Sequence, residues 1–155
     1  MSDPLMSERS SGAPVPVAVI VGTLLAVAGG FIMQFAVISP FIQSQIRDGS
    51  DIADLSTKLM VIGPIVALLT TSLGCMIARL VAGGRISAGW ITAGVLFVWS
   101  VGWSVFSFSR MAMAAGGGLE DLLVPFLAQA LVAAVVCGLS GAISMALPLG
   151  NGSAE

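Results

Sequence analysis

The sequence predicts an all-α fold: an integral membrane four-helix bundle with four transmembrane helices. Three observations predict it. Of 155 residues, 57% are hydrophobic and only six basic and eight acidic side chains are present, whereas a water-facing domain carries about a quarter charged residues. Mean hydropathy is +1.04, so polar side chains are too few to cover a globule in water. The apolar residues fall into four runs, 15–39, 57–81, 86–108 and 122–147. Each has the ~20 residues needed to cross a hydrocarbon core about 30 Å thick. In lipid, backbone N–H and C=O groups must be satisfied within the segment, which makes each run a helix. The alternation of a membrane β-barrel is missing.

Residues 1–14 are rich in Ser and Pro and read as a flexible N-terminal tail. Residues 15–149 form the transmembrane domain, and 150–155 a short C-terminal tail. The leader holds two acids and one Arg, and the apolar run behind it exceeds the ~7–15 residues of a signal-peptide core. A retained first helix is expected, ending near Ile38 because Pro40 follows. Gly49 and Ser50 make a turn, and Ser50 or Asp51 can cap the second helix. Asp51 and Asp54 in its first turn suit the positive end of the helix dipole. That helix is expected from near Asp51 to Val81, with a kink at Gly63-Pro64. The link "AGGR", 82–85, is tight, so the second and third helices are antiparallel neighbours. Gly116 to Gly118 break the third helix, and the fourth starts near Leu119 with Glu120 and Asp121 in its first turn.

Charge decides orientation only weakly. One side carries Arg9, Arg79 and Arg85, the other Arg47, Lys58 and Arg110, a tie under the positive-inside rule. Arg79 and Arg85 flank the short link and form the densest positive patch. On that ground both termini are expected to be cytoplasmic, in a bacterial inner membrane.

Composition removes several chemistries. There is no histidine and no tyrosine, which excludes bis-His haem, His metal sites and histidine acid–base catalysis. No ionisable residue sits in the middle of an apolar run, where proton relays and ion-coupled transporters place theirs. "GGG" at 116–118 lacks the strand and the Lys of a phosphate loop. Cys75 and Cys137 lie in apolar helices without CxxC or zinc spacing and read as small packing residues. No catalytic residue, metal, cofactor or nucleic-acid partner is expected.

The intramembrane polar residues form two sets. Gln34 and Gln129 lie about 9–11 Å in from one membrane face and can bond each other across helices, or a lipid, a quinone or a partner backbone. On the third helix, Ser100, Ser104 and Ser107 form a stripe beside the aromatic stripe Trp99, Trp103 and Phe106. The serines can bond their own backbone or a neighbour. The aromatics suit lipid, a neighbouring helix or a bound pigment or quinone.

The smallest residues give the clearest packing signal. Ala130, Ala134, Gly138 and Ala142 recur at spacings of four in the last helix, with Ala133, Cys137 and Gly141 as a second stripe. The first helix carries Gly22, Ala26 and Gly30 in the same pattern. In lipid, close backbone approach drives association more than apolar area does, and small residues permit it. These residues are expected at helix–helix contacts, the first and last helices packing on each other, with one stripe of the last helix left over for something outside the bundle. The resulting expectation is a non-catalytic accessory or assembly subunit of a larger membrane complex, respiratory or transport. Its partners are membrane lipids and other membrane-protein subunits. The alternatives are a homo-oligomeric channel, holin or small transporter, and a lipid- or quinone-handling enzyme.

Overall fold

A computed structural model of the chain describes residues 12–49, 52–115 and 120–146. The elements are α1 (Val15–Met33), a π-helical turn (Gln34–Ile38), α2 (Ser39–Arg47), α3 (Ile52–Val81), α4 (Ile86–Ala115) and α5 (Glu120–Ala146). Among the described residues, four spans are long and apolar enough to cross a membrane: Val15–Arg47, Thr57–Val81, Ile86–Ser107 and Leu123–Ala146. The chain is a multi-pass membrane protein with an all-helical four-span bundle.

The first span departs from expectation: Pro40 does not stop it. Helix continues from α1 through the π-turn into α2, ending at Arg47. The Ser39 N–H donates to the carbonyl of Gln34, five residues back. That widened turn shifts the hydrogen-bond register just before the proline. Pro40 then falls in the first turn of α2, where its missing N–H costs little. The third helix runs past its apolar stretch to Ala115, up to the glycines expected to break it. α3 keeps its helical assignment through Gly63 and Pro64, and α5 through Pro125. The capping of α3 by Ser50 or Asp51, the side chains of Asp51, Asp54, Glu120 and Asp121, the Gly116–Gly118 break and both chain ends lie outside the described residues.

The helices are arranged as a ring. α1 packs on α3 and α4, α5 also packs on α3 and α4, and α3 meets α4 across the middle. α1 and α5 therefore stand at opposite corners. The α3–α4 link turns within four residues because Gly83 (φ 68°) and Gly84 (φ 86°) adopt the left-handed region. The Gly84 N–H donates to Arg79 O at 2.8 Å, and the Gly83 N–H to Leu80 O at 3.0 Å. The N-terminal approach packs on this turn. The Ala13 N–H donates to Val81 O at 2.8 Å, and a Cβ on Gly12 would collide with the backbone of Ala82 and Gly83.

Burial is uneven along the bundle axis. At the turn end, Ala18, Gly22, Ala26, Gly74, Cys75, Ala78, Ala82, Ala88, Ala93, Leu96, Cys137 and Ser140 are buried. Towards the opposite end, the buried positions thin to Ile38, Val66 and Ser104 among the described residues. Trp103 lies two helical turns beyond Leu96 on nearly the same face, yet is 52% exposed while Leu96 is 5% exposed. Among the described residues, burial is dense at the turn end, the closed end of the bundle, and sparse towards the other, its open side.

Candidate functional site

The tightest seam joins α1 to α3. A Cβ on Gly22 would lie 2.5 Å from Gly74 O and 2.7 Å from the Ala78 Cβ. A Cβ on Gly74 would lie 2.6 Å from Gly22 O and 2.6 Å from the Ala26 Cβ. Ala18 joins Ala78, Ala82 and Ala88 in a buried cluster at the end of the same seam. α1 thus presents Ala18, Gly22 and Ala26 to a ladder on α3 that runs antiparallel to it. Of the residues singled out on the first helix, Gly22 and Ala26 are in this contact. Gly30 is not: a Cβ there would meet nothing within 4 Å. The α3 half of the seam, Gly74 and Ala78, was missed in the sequence, although Thr70, Gly74, Ala78 and Ala82 recur at spacings of four.

The second feature is a set of buried polar groups that tie α5 into the closed end. The Ser72 hydroxyl donates to Ser140 Oγ at 3.1 Å, and the Ser140 hydroxyl to Val136 O at 2.8 Å. The Ser144 hydroxyl donates to Gly141 O at 2.7 Å, and the Thr92 hydroxyl to Ala88 O at 2.8 Å. Arg79, 7% exposed, sits at the foot of this column. Its Nη1 donates to Ser144 O and to Met145 O, the latter at 3.4 Å, and its Nε donates to Gly84 O at 3.2 Å. Those carbonyls close the C-terminus of α5 and the turn, where the helix dipole is negative and a cation is favoured. Trp90 completes the α4–α5 seam. Its Nε1–H donates to Met145 Sδ at 3.1 Å, and its ring lies 2.9 Å from where a Gly141 Cβ would stand. Of these bonds, Ser72 to Ser140 and Arg79 to the Ser144 and Met145 carbonyls join α3 to α5, while the Ser140, Ser144 and Thr92 hydroxyls back-bond to carbonyls of their own helices. Cys75 and Cys137 are buried free thiols in one core cluster with Ala26, Ala93 and Leu96.

The remaining predicted residues lie elsewhere. Gln34 and Gln129 are both exposed, on the helices at opposite corners, and the structure does not bring them together. Ser104 is buried and donates to Ser100 O at 2.8 Å within its own helix; Ser100 and Ser107 are half-buried. On α5 the two stripes separate. Cys137 and Gly141 face the bundle, whereas Ala134 and Ala142 are exposed and Ala130 and Gly138 half-buried. A Cβ on Gly138 would meet nothing within 4 Å. The first helix packs its small residues on α3, not on the last helix.

On the open side, α4 carries a shallow groove of about 560 Å³ lined by Val95, Val98, Trp99, Gly102, Trp103 and Phe106. Trp99 and Trp103 are stacked at 6.4 Å, and Phe31 of α1 meets Trp103 edge-on at 6.5 Å. Compared with protein-family models, characterised proteins and solved structures, the chain matches none significantly.

Proposed function

We propose that this membrane protein is a non-catalytic accessory or assembly subunit of a larger complex, respiratory or transport, in a bacterial inner membrane with both termini cytoplasmic. One observation carries the reading. On the face of α5 holding Ala134, Gly138 and Ala142, the two alanines are exposed, Gly138 is half-buried, and a Cβ on Gly138 would meet nothing within 4 Å. Small residues at spacing four give lipid little to grip, but they let another helix approach closely. In this chain the equivalent surface of α1 is already used, with Gly22 and Ala26 pressed on α3. A second such face, left open, supports a helix contributed by another subunit.

The experiment is gentle extraction in native lipid, sizing, and mass spectrometry of the co-migrating chains, done in parallel on the parent and on Gly138→Leu. One unrelated membrane subunit in fixed stoichiometry, lost in the variant, supports the proposal. A pure homo-oligomer supports the channel reading instead.

A further inference from the structure

The aromatic groove on α4 has a cation at its mouth. The apolar span of α4 ends at Ser107, and Arg110 follows within one helical turn. Its guanidinium stands 5.7 Å from the centroid of the Phe106 ring, and its side chain is exposed. At 1.5 Å per residue, Phe106, Trp103 and Trp99 lie about 6, 10 and 16 Å deeper than Arg110. Gly102 leaves the floor hollow, since a Cβ there would meet nothing within 4 Å. Phe31 braces Trp103 from the α1 side. The surface is a trough that starts at headgroup level under a positive charge and descends along aromatic rings into the hydrocarbon.

We propose that this groove holds one acyl chain of an anionic phospholipid, with the lipid phosphate on Arg110. A guanidinium offers a planar fork of donors that matches phosphate oxygens. A zwitterionic lipid carries the same phosphate with a cation beside it, which weakens the attraction. A second copy of this chain is the poorer occupant. Pairing this face about an axis normal to the membrane sets both Arg110 side chains at one depth, like charge facing like charge.

The test uses tryptophan quenching by brominated acyl chains. The full-length protein is placed in bilayers containing either dibromo-phosphatidylglycerol or dibromo-phosphatidylcholine at equal mole fraction. The expected result is about a threefold preference for the anionic lipid, the scale of an exposed ion pair, and its disappearance in Arg110→Gln. Trp90, at the other end of α4, gives a background that Arg110→Gln leaves unchanged. Native mass spectrometry supplies a second readout: one phosphatidylglycerol retained by the parent and released by Arg110→Gln. Equal quenching by both lipids overturns the proposal, as does a preference that survives Arg110→Gln. Quenching by either lipid no greater than the Trp90 background also overturns it, because a protein surface then covers the groove.

Discussion

Gly22 of α1 and Gly74 of α3 face each other reciprocally. The position a Cβ would take on either one lies 2.5–2.6 Å from the carbonyl oxygen of the other. Each Cα hydrogen is therefore aimed at the partner's backbone oxygen. Such contacts are worth about 0.5–1 kcal/mol apiece, and they exist only because neither residue has a side chain. Ala26 and Ala78 flank them and keep the helices equally close above and below.

Gly22→Leu and Gly74→Leu should therefore each weaken the α1–α3 seam by about 1–3 kcal/mol. Reversible unfolding in bicelles measures the loss. Gly30→Leu should be near neutral in the same assay, because a Cβ there meets nothing within 4 Å. Equal losses for Gly22 and Gly30 would contradict the assignment of the seam.

Arg79 should be the most costly polar side chain to remove from the closed end. Arg79→Met leaves the carbonyls of Ser144, Met145 and Gly84 short of donors, with an expected loss of about 1.5–3 kcal/mol for bonds to a charged group. Amide exchange should quicken in the last turn of α5 and in 82–85, and Arg79→Lys should restore only part of the protection, since it lacks the fork. Unchanged exchange in both segments would show that the clamp is not formed in the bilayer.

The Ser72–Ser140 bond should be modest. A double-mutant cycle with Ser72→Ala and Ser140→Ala is expected to give a coupling of about 0.6 kcal/mol, and no more than about 1.7, the range for hydrogen bonds between membrane helices. Zero coupling would remove this bond from the account of how α5 is held.

The ring order can be read by cross-linking. With Cys75 and Cys137 replaced by Ala, cysteines at 72 and 140 should join under mild oxidation. Cysteines at 34 and 129 should not, because α1 and α5 occupy opposite corners. Efficient joining of 34 to 129 would mean that the helices are arranged in a different order.

The span count and the α3–α4 turn were legible in the sequence because hydrophobic length and paired glycines act locally. The continuation of helix through Pro40 was not: a proline normally ends a helix, and the π-turn that accommodates it has no composition of its own. The Gly22–Gly74 pairing was half legible. The small residues of α1 were visible, but which helix they meet depends on ring order, which short links do not fix. Arg79 was read only as a charge for orientation. Its burial follows from the carbonyls of α5, which lie 65 residues away in sequence. The equal depth expected of Gln34 and Gln129 assumed a first helix that ends at Pro40, whereas that span runs to Arg47, and the two residues stand at different corners, a distinction that depth along a helix cannot make.

The central claim is that the outward face of α5 serves a partner subunit while the α1–α3 seam serves the fold. Gly138→Leu, compared with Gly22→Leu and the parent, tests it most directly by measuring bundle stability and recovery of the stoichiometric partner from the same preparations. Gly138→Leu should unfold with the parent's free energy, to within the ~0.5 kcal/mol typical of surface changes, and should lose the partner. Gly22→Leu should lose stability first. A Gly138→Leu protein that keeps its partner at parental stoichiometry would contradict the account.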